Sequence, residues 1–109
     1  MMQDPRRRAL VFLLGEHELL AAEAEEALAV AGPVLAEALS RLDRAAAGHN
    51  PAACAEAAHG LKGNLLNLGL AELAQTAEHA CAAARQGKLD PSRRAAATLR
   101  QALATLLPG

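Results

Sequence analysis

The chain has 109 residues, 52% of them hydrophobic, so it can form one core of modest size but not two. Phe12 is its only Phe, Trp or Tyr, and a core made of Leu and Ala favours closely packed helices. A net charge of -1 gives the chain no overall field that would attract nucleic acid or an anionic membrane. We therefore expect a single all-α domain, residues 1–109, whose partner is another protein.

The N-terminal region is not predicted to be a signal peptide or a membrane anchor. Arginines at positions 6–8 precede an apolar run of about six residues, shorter than the roughly 7–15 residues of a signal-peptide core. We therefore expect a cytoplasmic protein in which Cys54 and Cys81 stay reduced. Two cysteines this far apart are typical of small core residues.

Six helices are predicted, because Gly and Pro separate a series of apolar segments with helical periodicity. They span about residues 4–14, 16–31, 33–47, 51–68, 70–86 and 91–107. The short connections between them favour antiparallel neighbours. The predicted architecture is an antiparallel up-and-down four-helix bundle, about residues 33–107, with an N-terminal helical extension at about 4–31.

Local sequence marks the helix ends. Asn50 and Asp90 are suitable N-cap residues, and each precedes a proline that fits the first helical turn. Gly48 and Gly87 follow Ala-rich runs, where a left-handed C-terminal cap favours glycine. Pro33 leaves two alternatives open, a helix that restarts or one that is only kinked, because an interior proline costs about 3 kcal/mol.

The predicted helix 51–68 carries a histidine on the side opposite its apolar stripe. That stripe consists of Cys54, Ala57, Leu61, Leu65 and Leu68. On a helical wheel, His59 lies about 160° from Leu61 and is predicted to be exposed. Lys62 and Gly63, at i+3 and i+4, are its surface neighbours.

These three residues combine a nucleophile, a counter-charge and open space. An exposed neutral imidazole is a competent nucleophile near neutral pH. The Lys62 ammonium can screen a phosphoryl group, and Gly63 lacks the side chain that would block a partner's active site. Leu66, which is apolar and turned to the same side, suits a partner surface. The alternative for His59 is an ordinary solvated histidine.

The segment AHGLKGNLLNLG, from Ala58 to Gly69, resembles the core motif of the histidine-containing phosphotransfer (HPt) domain. That motif is an Ala-His pair followed by an apolar residue, Lys-Gly and a helix-ending Gly. Asn50 before the motif, and Leu73 and Ala74 after it, also fit the family pattern. The resemblance covers about residues 17–107.

The resemblance implies a four-helix bundle in which His59 accepts a phosphoryl group from a receiver-domain aspartate or a kinase and passes it on. Lys62 would screen the phosphoryl group, and Gly63 would give the partner access. The implied partners are a response-regulator receiver domain and a hybrid histidine kinase. The receiver would supply Mg²⁺, so the chain itself would need no cofactor and no metal.

We therefore expect a phosphocarrier and not an autonomous kinase, since the sequence has no Gly-rich phosphate loop. We expect a monomer, and pairing of two copies through the N-terminal helix stays open. Met1 and the Pro108-Gly109 end favour a free-standing protein.

Two positions depart from the family pattern. Gly60 follows the histidine, and its helix cost of about 1 kcal/mol relative to Ala could loosen that turn. Cys81 stands near the place where members often carry a Gln or Glu that orients the imidazole. Gln75, Glu78 and His79 are predicted to lie on outer parts of the same helix, and none of them is assigned that role.

The sequence suggests two other classes of function. Cys54, His59, His79 and Cys81 are residue types that bind zinc, but Cys54 faces the core while His59 faces away from it. A helical docking or scaffold bundle, in which the histidine is incidental, is the main alternative to a phosphocarrier.

Overall fold

A computed structural model describes residues 4–16 and 20–108, which form five helices. They are α1 (Pro5–Glu16), α2 (Ala21–Ala47), α3 (Pro51–Asn67), α4 (Ala71–Arg85) and α5 (Asp90–Ala102). α2 packs against α3, α3 against α4, α4 against α5, and α5 back against α2, while α1 packs on α2. The all-α fold, a four-helix bundle with one additional N-terminal helix, is therefore confirmed.

The core consists mainly of Leu and Ala, as the composition predicts. Leu61 and Leu65 of α3 are fully buried, and α4 faces them with small side chains. The buried residues of α4 are Ala74, Ala77, Ala80, Cys81 and Ala84. Cys54 and Cys81 are free and fully buried, which confirms that both pack as core residues.

Of the two alternatives left open at Pro33, the structure has no restart: residues 21–47 form one continuous helix, α2, so the separate helices predicted before and after Pro33 are wrong. Gly32 is buried, and a Cβ at this position would overlap the backbone carbonyl oxygen of Leu106. The turns that follow α5 thus pack directly onto α2 beside Pro33. This tertiary contact helps to offset the cost of an interior proline.

The start of α3 is formed as predicted, but that of α5 is not. The backbone N–H of Ala53 donates to Asn50 Oδ1 at 3.0 Å, and Pro51 occupies the first turn. At α5 the N-cap is Leu89, and Asp90 is already helical. There the Asp90 carboxylate accepts a hydrogen bond from Arg93 at 2.8 Å.

Three helix ends agree only in part with the predictions. Gly87 has the expected left-handed backbone, with φ 80°. The prediction for Gly48 is wrong, because its φ is -84° and His49, with φ 52°, adopts the left-handed conformation instead. α5 ends at Ala102 and not near residue 107, because the chain continues in turns.

The α1 helix covers the turn between α3 and α4. Ala9 and Leu13 are buried in the core, and the Phe12 ring lies against Gly69, whose φ is 72°. A Cβ at Gly69 would overlap that ring, so glycine is required both by the backbone and by the contact. In the described part of the chain, no helix has the length and hydrophobicity needed to span a membrane.

Candidate functional site

The site lies on the outer face of α3. His59 and Gly63 are exposed and Lys62 is partly exposed, whereas the adjoining Ala58 and Leu61 are fully buried. The predicted orientation of the helix is therefore confirmed. Leu66, the next residue on this face, is also exposed, at 46%.

An ion pair that the sequence did not predict joins this face to α4. Lys62 Nζ donates to Glu78 Oε2 at 3.1 Å, and both side chains are partly exposed, at 35% and 40%. The hydrogen bond from Lys62 and then its charge lower the pKa of Glu78, against a smaller opposing effect of burial. The charges of Arg85 and His59 lower this pKa further, so Glu78 lies within electrostatic reach of the histidine.

Glu78 is partly exposed, as predicted for an outer part of α4, and the group that it contacts is Lys62. α3 and α4 are antiparallel and joined at Gly69, and this register places Glu78 level with Lys62. Cys81 is fully buried and therefore presents no polar group to the exposed histidine. Lys62 lies seven residues before Gly69 and Glu78 nine residues after it, so counting outward from the turn places the two residues only to within one helical turn of each other.

A groove of about 940 Å³ runs between α2 and α3 beside His59. The α2 wall includes Val34, Glu37 and Arg41, and the α3 wall includes Gly60 and Asn64. Glu37 Oε1 pairs with Arg41 Nε at 3.4 Å, and Val34 is 46% exposed. The groove thus offers both apolar and charged groups within one surface that His59 helps to line.

A family model, the Hpt domain, matches residues 14–108. The chain belongs to the Hpt domain family. Hpt domains are four-helix bundles that act as phosphotransfer intermediates and interact with receiver domains and histidine kinases. No significant match was found among curated proteins or solved structures.

Two glycines of this Hpt domain, Gly60 and Gly63, lie next to His59. The packing of the domain does not require glycine at either position. A Cβ at Gly60 or Gly63 would meet no side chain or neighbouring helix within 4 Å. Both positions are also helical, where glycine is less favourable than alanine by about 1 kcal/mol. The space beside His59 is therefore open toward solvent and available to another molecule.

The four residues weighed as zinc ligands are not brought together on one surface. Cys54 and Cys81 are fully buried in the core of the Hpt domain, whereas His59 and His79 are exposed. Within residues 4–16 and 20–108, no group of three or more His, Cys, Asp or Glu side chains is arranged to hold a metal ion.

Proposed function

We propose that His59 accepts a phosphoryl group from a receiver-domain aspartate or from a histidine kinase and passes it on. The observation that carries the proposal is the exposed His59–Lys62–Gly63 face on α3 of a member of the Hpt family. The chain acts as a phosphocarrier, and the nucleotide and metal chemistry belongs to its partners.

The transfer step needs only one reacting side chain from this protein. The unprotonated ring nitrogen of His59 attacks the phosphorus of the partner's aspartyl phosphate. A N–P bond forms while the P–O bond breaks, and its electron pair leaves with the aspartate carboxylate. The other ring nitrogen keeps its proton, so no base is needed. The same path in reverse returns the phosphoryl group to a receiver.

Lys62 and Gly63 assist this step in different ways. The Lys62 ammonium, one turn from the histidine, screens the charge of the phosphoryl group as the two proteins approach. Gly63 leaves room for the partner's active-site loops. Mg²⁺ bound by the receiver would neutralise the negative charge of the aspartate carboxylate. This chain is expected to supply no metal ligand.

The surface that receives the partner is the α2–α3 groove together with the outer face of α3. His59 lines the groove, exposed Val34 lies on its α2 wall, and exposed Leu66 follows about two turns further along α3. Central apolar contacts within a polar rim are typical of protein interfaces. We therefore assign this surface to a receiver domain.

The proposal is tested with purified wild-type protein and the variants His59→Gln and His79→Gln, each mixed with a panel of phosphorylated receiver domains. His79 is an exposed histidine on α4 and is the matched control. We expect an acid-labile, alkali-stable label on wild type and His79→Gln but not on His59→Gln, whose circular dichroism should match wild type. An unlabelled wild type would favour the docking-bundle alternative, and equal labelling of His59→Gln would exclude His59 as the acceptor.

A further inference from the structure

We propose that Glu78 is a positioning residue that holds Lys62 while His59 is unphosphorylated and releases it when the phosphoryl group arrives. This inference rests on the function proposed above for His59. It gives Glu78 a role that acts through Lys62 and requires no contact with the reacting atoms.

Lys62 lies within reach of two positions that can carry negative charge, the Glu78 carboxylate and a phosphoryl group on His59. It follows His59 by one helical turn, so its ammonium can reach a group carried on the imidazole. In the structure that ammonium is hydrogen-bonded to Glu78 across the α3–α4 interface. The pair is partly exposed, and the long Lys62 side chain is free to change partner without disturbing the core.

The charges favour such an exchange. Glu78 is ionised in the neutral range as glutamates are, and Lys62, followed by Arg85, lowers its pKa further. A phosphoryl group carries more negative charge than one carboxylate and offers three acceptor oxygens. Since an exposed ion pair is weak, the phosphoryl group can draw Lys62 away from Glu78.

The consequence is a phosphohistidine that is less stabilised than it would be with a free lysine. Glu78 competes with the phosphoryl group for the Lys62 ammonium. Lys62 therefore stabilises the phosphohistidine less than it would in the absence of Glu78. Such competition favours release of the phosphoryl group to the next receiver. Removing the charge of Glu78 should therefore lengthen the lifetime of the phosphohistidine.

The experiment measures hydrolysis of phosphohistidine in proteins loaded with phosphoramidate, a small donor that needs no partner. The variants are Glu78→Gln, Lys62→Met, their combination, and Glu72→Gln as a control for charge in the first turn of α4. We expect Glu78→Gln to lengthen the half-life about two- to five-fold, a range that corresponds to at most about 1 kcal/mol. Glu72→Gln should match wild type, and Lys62→Met should shorten the half-life.

The double variant decides whether Glu78 acts through the lysine. If it does, Glu78→Gln has no effect in the Lys62→Met background. An unchanged or shorter half-life in Glu78→Gln would overturn the inference, and so would a lengthening that persists without Lys62. Wild-type protein that takes no label from phosphoramidate or from any receiver would instead contradict the proposed function.

Discussion

Substitution of Gly63 should make the protein more stable and, where the new side chain is long, should slow phosphoryl transfer from the receiver. A Cβ at position 63 would meet no neighbouring side chain or helix within 4 Å, so Gly63→Ala relieves the helix cost of glycine without a clash. The expected gain is about 1 kcal/mol, or a rise in Tm of about 4 °C. Gly63→Gln keeps most of this gain, because Gln is also a good helix former. Its longer side chain, however, lies one turn from His59, where the receiver must approach.

Two assays separate these effects. Thermal unfolding followed by circular dichroism measures stability, and labelling from a receiver is compared with labelling from phosphoramidate. We expect Gly63→Gln to slow transfer from the receiver more than about tenfold relative to wild type. The rate of labelling by phosphoramidate should stay within about twofold of wild type, because only docking of the receiver is obstructed. Gly15→Ala, at an equally open position in α1, should gain stability and transfer normally. Unchanged receiver transfer in Gly63→Gln would refute the access role, and a lower Tm in Gly63→Ala would refute the packing argument.

Three further predictions concern the scaffold, and chemical unfolding measures each of them. Leu61→Ala and Leu65→Ala should each lower the free energy of unfolding by about 2–5 kcal/mol, because both side chains are fully buried; a negligible loss would mean that the face of α3 is wrongly assigned. Gly32→Ala should destabilise by about 1–3 kcal/mol despite the better helix propensity, since its Cβ would overlap the Leu106 carbonyl, and a stabilised variant would contradict that contact. Ser92→Ala should raise stability by about 1 kcal/mol, because the buried Ser92 hydroxyl has no hydrogen-bond partner; a clear loss would show that it has one.

Features set by neighbouring residues could be predicted from the sequence. The Asn50 cap depends on a side chain and a backbone N–H three residues apart, and the orientation of His59 depends on the period of a single helix. Gly87 adopts a left-handed backbone for an equally local reason. Each of these predictions needs only a short segment of chain.

Features set by distant residues could not be predicted in the same way. α2 continues across Pro33, next to the place where Leu106, far along the chain, packs against Gly32. The pairing of Lys62 with Glu78 depends on the register between two helices. Local propensity is therefore a poor guide where tertiary contacts decide the outcome.

The most direct test of the account is whether the phosphoryl group can leave His59 for a receiver. Wild-type protein is loaded with labelled phosphate, freed of donor and mixed with unphosphorylated receiver domains. We expect that for at least one receiver the label moves from His59 to the receiver's aspartate faster than it is lost by hydrolysis. Label that stays on His59 or appears only as free phosphate with every receiver would contradict the claim that this Hpt domain is a phosphocarrier.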